Sequence, residues 1–282
     1  TSLHMISSAI EAGDIEVGVA GGVEDMFTIP QGGFAPDFNV KLAEENYYIS
    51  MGEGAELLAD ELSISREDQE EFTFRSHERA VEAKDSGKFD NEIVPIILED
   101  GSVLDKDSGP RNPDKEKIKS LKPAFKADGT VTAATSSPFS IGASAMLITS
   151  ENDAKKNGLK IRAYIEGRAV AGVNWTMFGS GPIPATAKAL KNTGLSMDDI
   201  DVVEINEAFA AQALYCIRKA DWDESKVNLN GGAIALGHPL GISGTRIITT
   251  LLNILEQQDK STGLATMCVG TGQGITTIIK RG

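Results

Sequence analysis

The sequence predicts a layered α/β protein with two similar core halves and a different module inserted between them. Three observations carry that expectation. A helix, an apolar strand and a glycine-rich turn follow one another near both ends: Leu3, Ile6 and Ile10 lead to Val17, Val19 and Ala20 and then Gly21-Gly22, while Ile248, Leu251, Leu252 and Leu255 lead to Leu264–Val269 and then Gly270-Thr271-Gly272. From about Phe27 the composition turns irregular and then strongly charged, unlike either end. From Arg162 onward, strand-like and helix-like runs alternate, the pattern of stacked sheet and helix layers.

Taken in order, the first helix ends at Gly13-Asp14, and Ile15 to Ala20 reads as a short buried strand. Pro30, Gly32, Gly33, Pro36 and Asn39 mark irregular chain. Met51–Glu61 reads as a helix, and Ser65 with Glu67 and Asp68 caps a second that ends near Gly87. Its charge is expected to form a solvated face, with His77 a surface residue. Asp100–Lys119 has the composition of an extended surface loop, and the core resumes at Leu121–Phe125. Gly129–Pro138 gathers hydroxyls and small residues, which suits either close ligand approach or a turn with satisfied hydroxyls. Gly142–Thr149 is expected to be a buried element. After the strand Arg162–Val173 and Gly179-Ser180-Gly181-Pro182, Ala185–Lys191 forms a short helix. Asp201–Ile205 reads as a buried strand that delivers Asn206 to a strand-to-helix junction, where open α/β sheets present their chemistry. The next helix buries Phe209, Ala213, Cys216 and Ile217, which makes Cys216 a small core residue.

The 282 residues, 41% of them hydrophobic, suffice for a substantial core. A formal charge of −14, from 41 acidic against 27 basic residues, disfavours a polyanion-binding surface, so no nucleic acid is expected. A small anion remains compatible, since a few N–H donors hold one phosphate or carboxylate. No apolar run is long enough for membrane insertion. Two cysteines make no disulfide framework, and a cytoplasmic location is expected. The opening Thr1-Ser2-Leu3-His4 carries no targeting pattern and reads as the middle of a domain.

Three polar residues stand at the ends of apolar elements: Asn206 after a strand, His238 between glycines in Asn230–Gly244, and Cys268 at the end of Leu264–Met267. A neutral imidazole is a base near physiological pH, a thiol exchanges protons when its neighbours tune it, and an amide holds a water or an oxyanion. Together they fit acyl transfer or carbon–carbon chemistry beside a carbonyl. Singly, each has a plainer reading as a satisfied core group. No short Cys or His spacing suggests a metal, and neither glycine loop has a nucleotide-binding pattern.

Asn206-Glu207-Ala208-Phe209-Ala210, Gly231–Pro239 and Cys268-Val269-Gly270-Thr271-Gly272 closely resemble the three C-terminal signatures of the thiolases, in the same order and at similar separations. Gly21–Glu24, Ile64–Gln69 and Gly129–Ala133 extend the similarity over essentially the whole chain. The resemblance implies a β-oxidation type thiolase fold, layered α/β/α/β/α, with residues 1–27 and 132–160 from an incomplete first core domain, 28–131 a loop domain and 161–282 the second core domain. It implies an acyltransferase that cleaves 3-ketoacyl-CoA with CoA, or runs the reverse condensation, with CoA as substrate and no cofactor. His238 would activate the acyl-accepting nucleophile and help form an oxyanion hole whose water Asn206 holds. Cys268 would transfer protons, and the Gly270 N–H would serve a second oxyanion hole. Ser137 would contact the pantetheine arm, and Met51, Phe125, Ala208 and Phe209 would line its tunnel. A homodimer or homotetramer is expected, with a β-oxidation enzyme as partner.

The family's nucleophilic cysteine would fall about five positions before Thr1 by alignment to Gly13, outside these residues, so the 282 residues alone are expected to be inactive. Ser50 stands where short-chain synthetic members often place His, and Thr135 precedes Ser136-Ser137 as in some β-oxidation members; both tilt the expectation towards degradation. Ile141, Trp175 and Phe178 also depart from common residues near the acyl pocket, leaving acyl length open. Two rivals remain. A condensing enzyme acting on carrier-protein thioesters would place a second His at Asn206 or Cys268, and a noncatalytic CoA-binding or assembly subunit would need no nucleophile.

Overall fold

The computed structural model describes residues 1–28 and 37–282; the expected irregular stretch through Pro30, Gly32, Gly33 and Pro36 lies outside them. The chain opens with α1 (Ser2–Ala12), closed by Gly13, and β1 (Val17–Asp25). The loop region holds α2 (Val40–Glu44), α3 (Met51–Glu61), α4 (Arg66–Asp85), a hairpin of β2 (Ile96–Ile97) and β3 (Val103–Leu104), and α5 (Lys115–Lys119). The chain then returns as β4 (Ile141–Thr149) and α6 (Glu151–Lys156). The last part runs β5 (Ala163–Gly172), a 3₁₀ segment (Trp175–Ser180), α7 (Pro182–Thr193), β6 (Val202–Ile205), α8 (Ala210–Lys219), the one-turn α9 (Ala233–Leu236), α10 (Ser243–Gln257), β7 (Thr262–Val269) and β8 (Gln273–Arg281).

Two sheets face each other across helices. β1 and β4 pair antiparallel, Val17 opposite Thr149 and Asp25 opposite Ile141. The second sheet has the order β5-β8-β7-β6, antiparallel except for the parallel pair β7–β6, and Val227 adds a single parallel bridge to Val203 at its edge. Amphipathic α10 lies between the sheets: Ile247, Ile248, Leu251, Leu252, Ile254 and Leu255 pack with Val202, Ala265 and Ile279 on one side and Ala20 and Ile148 on the other. Burying most of one such side chain stabilises by about 1.5–3 kcal/mol, so α10 alone fixes the layer order. α1 joins this middle layer through Leu3 and a 2.9 Å His4 Nε2–Thr277 Oγ1 hydrogen bond. α7 and α8 cover the far face of the second sheet.

The helices start where the capping chemistry places them. Ser50 and Ser65 each close a capping box, with Glu53 and Asp68 respectively. Four expectations need correction. The glycine pair after β1 is not a turn: Gly21 and Gly22 lie inside the strand, because the loop after His238 presses on it, and a Cβ on Gly22 would meet Gly241 O at 1.9 Å. β1 and β4 are not buried, since Val19 and Val23 are 64% and 76% exposed and β4 alternates between exposed and half-covered positions. The α4 charge is only partly solvated: Arg75 pairs with Glu224 at 2.6 Å, Asp68 with Arg218 at 2.8 Å, and Arg79 donates to Val227 O at 2.6 Å, tying the helix to the second core half. His77 on the same helix is 2% exposed, and burial lowers its pKa to about 4. Among the described residues no helix is long and apolar enough to cross a membrane, and no cluster of His, Cys, Asp or Glu suits a metal.

Candidate active site

Two segments of the second half, β6 and β7, end at one edge of its sheet. β6 and β7 run parallel with Ile205 opposite Thr266, so their C-terminal ends carry Asn206 and Cys268 on adjacent strands about 4.8 Å apart. The Asn206 N–H donates to Thr266 O, which locks the backbone, while its side chain is fully buried and both amide atoms lack a partner among the described residues. Buried amides are ordinarily satisfied, which leaves the Asn206 amide able to hold a water or ligand oxygen. Cys268 is buried and its thiol is pushed up to about 12 by burial. At neutral pH it is an S–H, a proton donor. The strand then turns through Gly270, which is exposed, and Thr271 in a left-handed conformation.

His238 stands between α9 and α10, held by the first turn of α10. Its Nδ1 lies 2.6 Å from Ser243 Oγ, which itself donates to Pro239 O at 3.0 Å. With the one hydroxyl proton used there, Nδ1–H donates to Ser243 and Nε2 keeps its lone pair. Burial, assisted by the Arg246 guanidinium, holds the pKa down at about 4, so the ring is neutral at pH 7. Beyond it, the Gly241 N–H donates to Glu24 Oε2 of β1 at 3.0 Å, bracing the loop against the first sheet.

The hydroxyl-rich stretch joins these segments. Glu56 of α3 accepts from the N–H groups of Thr130 and Val131 at 2.9 to 3.0 Å and anchors its start. Ser137 N–H donates to Ala208 O, and Ala210 N–H to Thr135 O, so the stretch lies along the Asn206 motif. Farther on, Ser140 lies against Gly237, next to His238. Phe125 and Phe209 meet edge to face at 5.9 Å. Met51 and Phe125 are partly exposed, whereas Ala208 and Phe209 are buried. Met51, at the start of α3, is next to Gly52, whose Cα faces the Phe125 ring, so these apolar groups form one wall. Cys216 lies apart from this edge: it is wholly buried, burial raises its pKa, and its Sγ donates to Gly179 O at 3.2 Å.

Sequence reasoning missed the polar groups behind the site. Glu207 and Ser76, 131 residues apart in sequence, are 2.6 Å apart in space. Glu204 of β6 is fully buried with Arg246 at 3.9 Å, and burial raises its pKa to about 8. The carboxyl inside an otherwise apolar Val-Val-Glu-Ile strand was the available signal for Glu204; nothing local marked Ser76.

The comparisons with known proteins identify the family. Residues 1–152 match the family description "Thiolase, N-terminal domain" and residues 159–281 match "Thiolase, C-terminal domain". The chain belongs to the thiolase family. Among curated relatives, 3-ketoacyl-CoA thiolases from Vibrio parahaemolyticus and Pseudoalteromonas atlantica are each 50% identical over 99% of this chain, which covers 74% and 75% of their lengths. Among solved structures, the dimeric peroxisomal thiolase of Saccharomyces cerevisiae superposes with a TM-score of 0.93 at 40% identity, covering 100% of this chain and 73% of that one. Human mitochondrial 3-ketoacyl-CoA thiolase in complex with CoA gives 0.92 at 37%, covering 100% and 75%.

Proposed function

We propose that this chain is an acyltransferase that cleaves 3-ketoacyl-CoA with CoA, giving acetyl-CoA and a shortened acyl-CoA. The residue roles are supported by Asn206 and Cys268 at the C-terminal ends of adjacent parallel strands, a buried protonated thiol on Cys268 and a neutral His238 held by Ser243. His238 Nε2 takes the proton of the acyl-accepting thiol. That thiolate adds to the 3-keto carbon, the Cα–Cβ bond breaks, and the acyl group stays on sulfur. The released electron pair on the acetyl-CoA carbon takes the Sγ proton of Cys268. Incoming CoA returns a proton to Cys268 and attacks the acyl group as its thiolate; the leaving enzyme thiolate regains its proton from His238. Asn206 holds a water against one developing oxyanion, with protonated Nε2 as its second donor, and the Gly270 N–H faces the other. By family resemblance the acyl-accepting thiol is a cysteine outside these residues, and the sealed position of Cys216 argues against a substitute here.

Ser137, Met51, Phe125, Ala208 and Phe209 form the wall for the pantetheine arm, a reading supported by the human relative's complex with CoA. A dimer is supported by the yeast relative, described as dimeric, and a cytoplasmic location by the bacterial origin of the relatives. The test is thiolysis of acetoacetyl-CoA by free CoA, using protein of natural length. His238→Ala and Cys268→Ala should each lower kcat by about 10²–10⁴-fold. Near-native turnover in either variant rejects that residue's role.

A further inference from the structure

The His238 loop is held from behind by two residues that do not reach the substrate. Glu207, next to the oxyanion residue Asn206, turns its carboxylate away from the sheet edge into a fully buried site. It accepts from Ser76 Oγ at 2.6 Å, Asn228 Nδ2 at 2.7 Å and the Ile234 N–H at 3.2 Å. Ser76 Oγ in turn accepts from the Gly232 N–H at 3.1 Å. Two free N–H groups around the start of α9, those of Gly232 and Ile234, are therefore satisfied by one hydroxyl and one carboxylate. The single helical turn Ala233–Leu236 connects them to Gly237 and His238, a rise of about 6 Å. A Cβ at Gly232 would lie 2.1 Å from the Glu207 carboxyl carbon, so the loop has no slack against its support. Asn228 is fixed independently, since its amide exchanges hydrogen bonds with both backbone groups of Ile205.

We propose that Glu207 and Ser76 are positioning residues for His238: the inserted loop region, through Ser76 of α4, sets where the base stands. The inference rests on the assignment of His238 as the base. A four-residue turn cannot hold its own geometry, because helix formation from a single turn is unfavourable without outside contacts. A displacement of about 1 Å in a reacting group costs on the order of 10²-fold in rate. Loss of the clamp should thus act on kcat more than on the CoA wall, whose nearest members Ala208 and Phe209 are held to the hydroxyl-rich stretch by the Ser137 N–H and not by the Glu207 carboxylate.

The experiment is a cycle of Ser76→Ala, Glu207→Gln and His238→Ala in protein of natural length, read by steady-state thiolysis and by amide hydrogen exchange. Ser76→Ala and Glu207→Gln are expected to lower kcat about 10–100-fold with KM for CoA within threefold, and to speed exchange at Gly232 and Ile234. In the His238→Ala background neither should lower the residual rate further. The proposal is overturned if both variants keep kcat within twofold of native, or if their losses persist undiminished without His238. If Glu207→Gln fails to fold, Ser76→Ala alone decides by the same readings. Near-native turnover in His238→Ala would instead reject the base assignment, a result distinct from either.

Discussion

The two strand pairs β1–β4 and β7–β8 are built alike and live differently. Each follows a helix of the middle layer, and each pairs antiparallel. Yet β7 and β8 are buried along most of their length, flanked by β5 and β6 and covered by α10 on one face and α7 on the other. β1 and β4 have helices against one face only and no flanking strand among the described residues, so Val17, Val19, Val23, Ile141 and Leu147 face outward. The contrast teaches that apolar content records what a strand is able to bury, while its neighbours decide what it does bury.

The comparison can be broken by substitution. The largest expected effect lies in the buried pair: Leu264→Ala, at a fully covered position, should cost about 2–5 kcal/mol in urea unfolding. Gly22→Ala is next, because the added methyl collides with the Gly241 carbonyl; an unfolding loss of about 1–3 kcal/mol should come with a fall in turnover as the His238 loop shifts. Unfolding curves and thiolysis on the same sample check both. In these 282 residues by themselves, Val19→Ala, 64% exposed, should change stability by less than about 0.5 kcal/mol. A loss there as large as that at Leu264 would mean the outward face is covered in solution.

Acid and base titration sharpens the same contrast. Burial lowers the pKa values of His4, His77 and His238 to about 4, whereas the unfolded chain takes up these protons near 6.5; stability from this source is full above 6.5 and lost as pH falls towards 4. Burial raises Glu204 to about 8 and Glu92 to about 7, so their contribution is full below 4.5 and lost as pH rises through 7 to 8. Thermal unfolding across pH should therefore peak near 6.5. Glu204→Gln should flatten the alkaline side, because burial in β6 is what raises that carboxyl.

The sequence by itself was enough for the α/β class, the helix starts at Ser50 and Ser65, the buried strand before Asn206 and the three motifs that carry the family likeness. These were legible because capping, hydrophobic periodicity and the motifs are local, each readable within a few residues. Tertiary structure alone decided that His77 is interior, that Gly21-Gly22 continues a strand, and that Ser76 and Glu207 stand together behind His238. Each of those facts depends on contacts between segments far apart in sequence. Burial and positioning are pairwise properties in space, and a one-dimensional pattern carries only one partner of each pair.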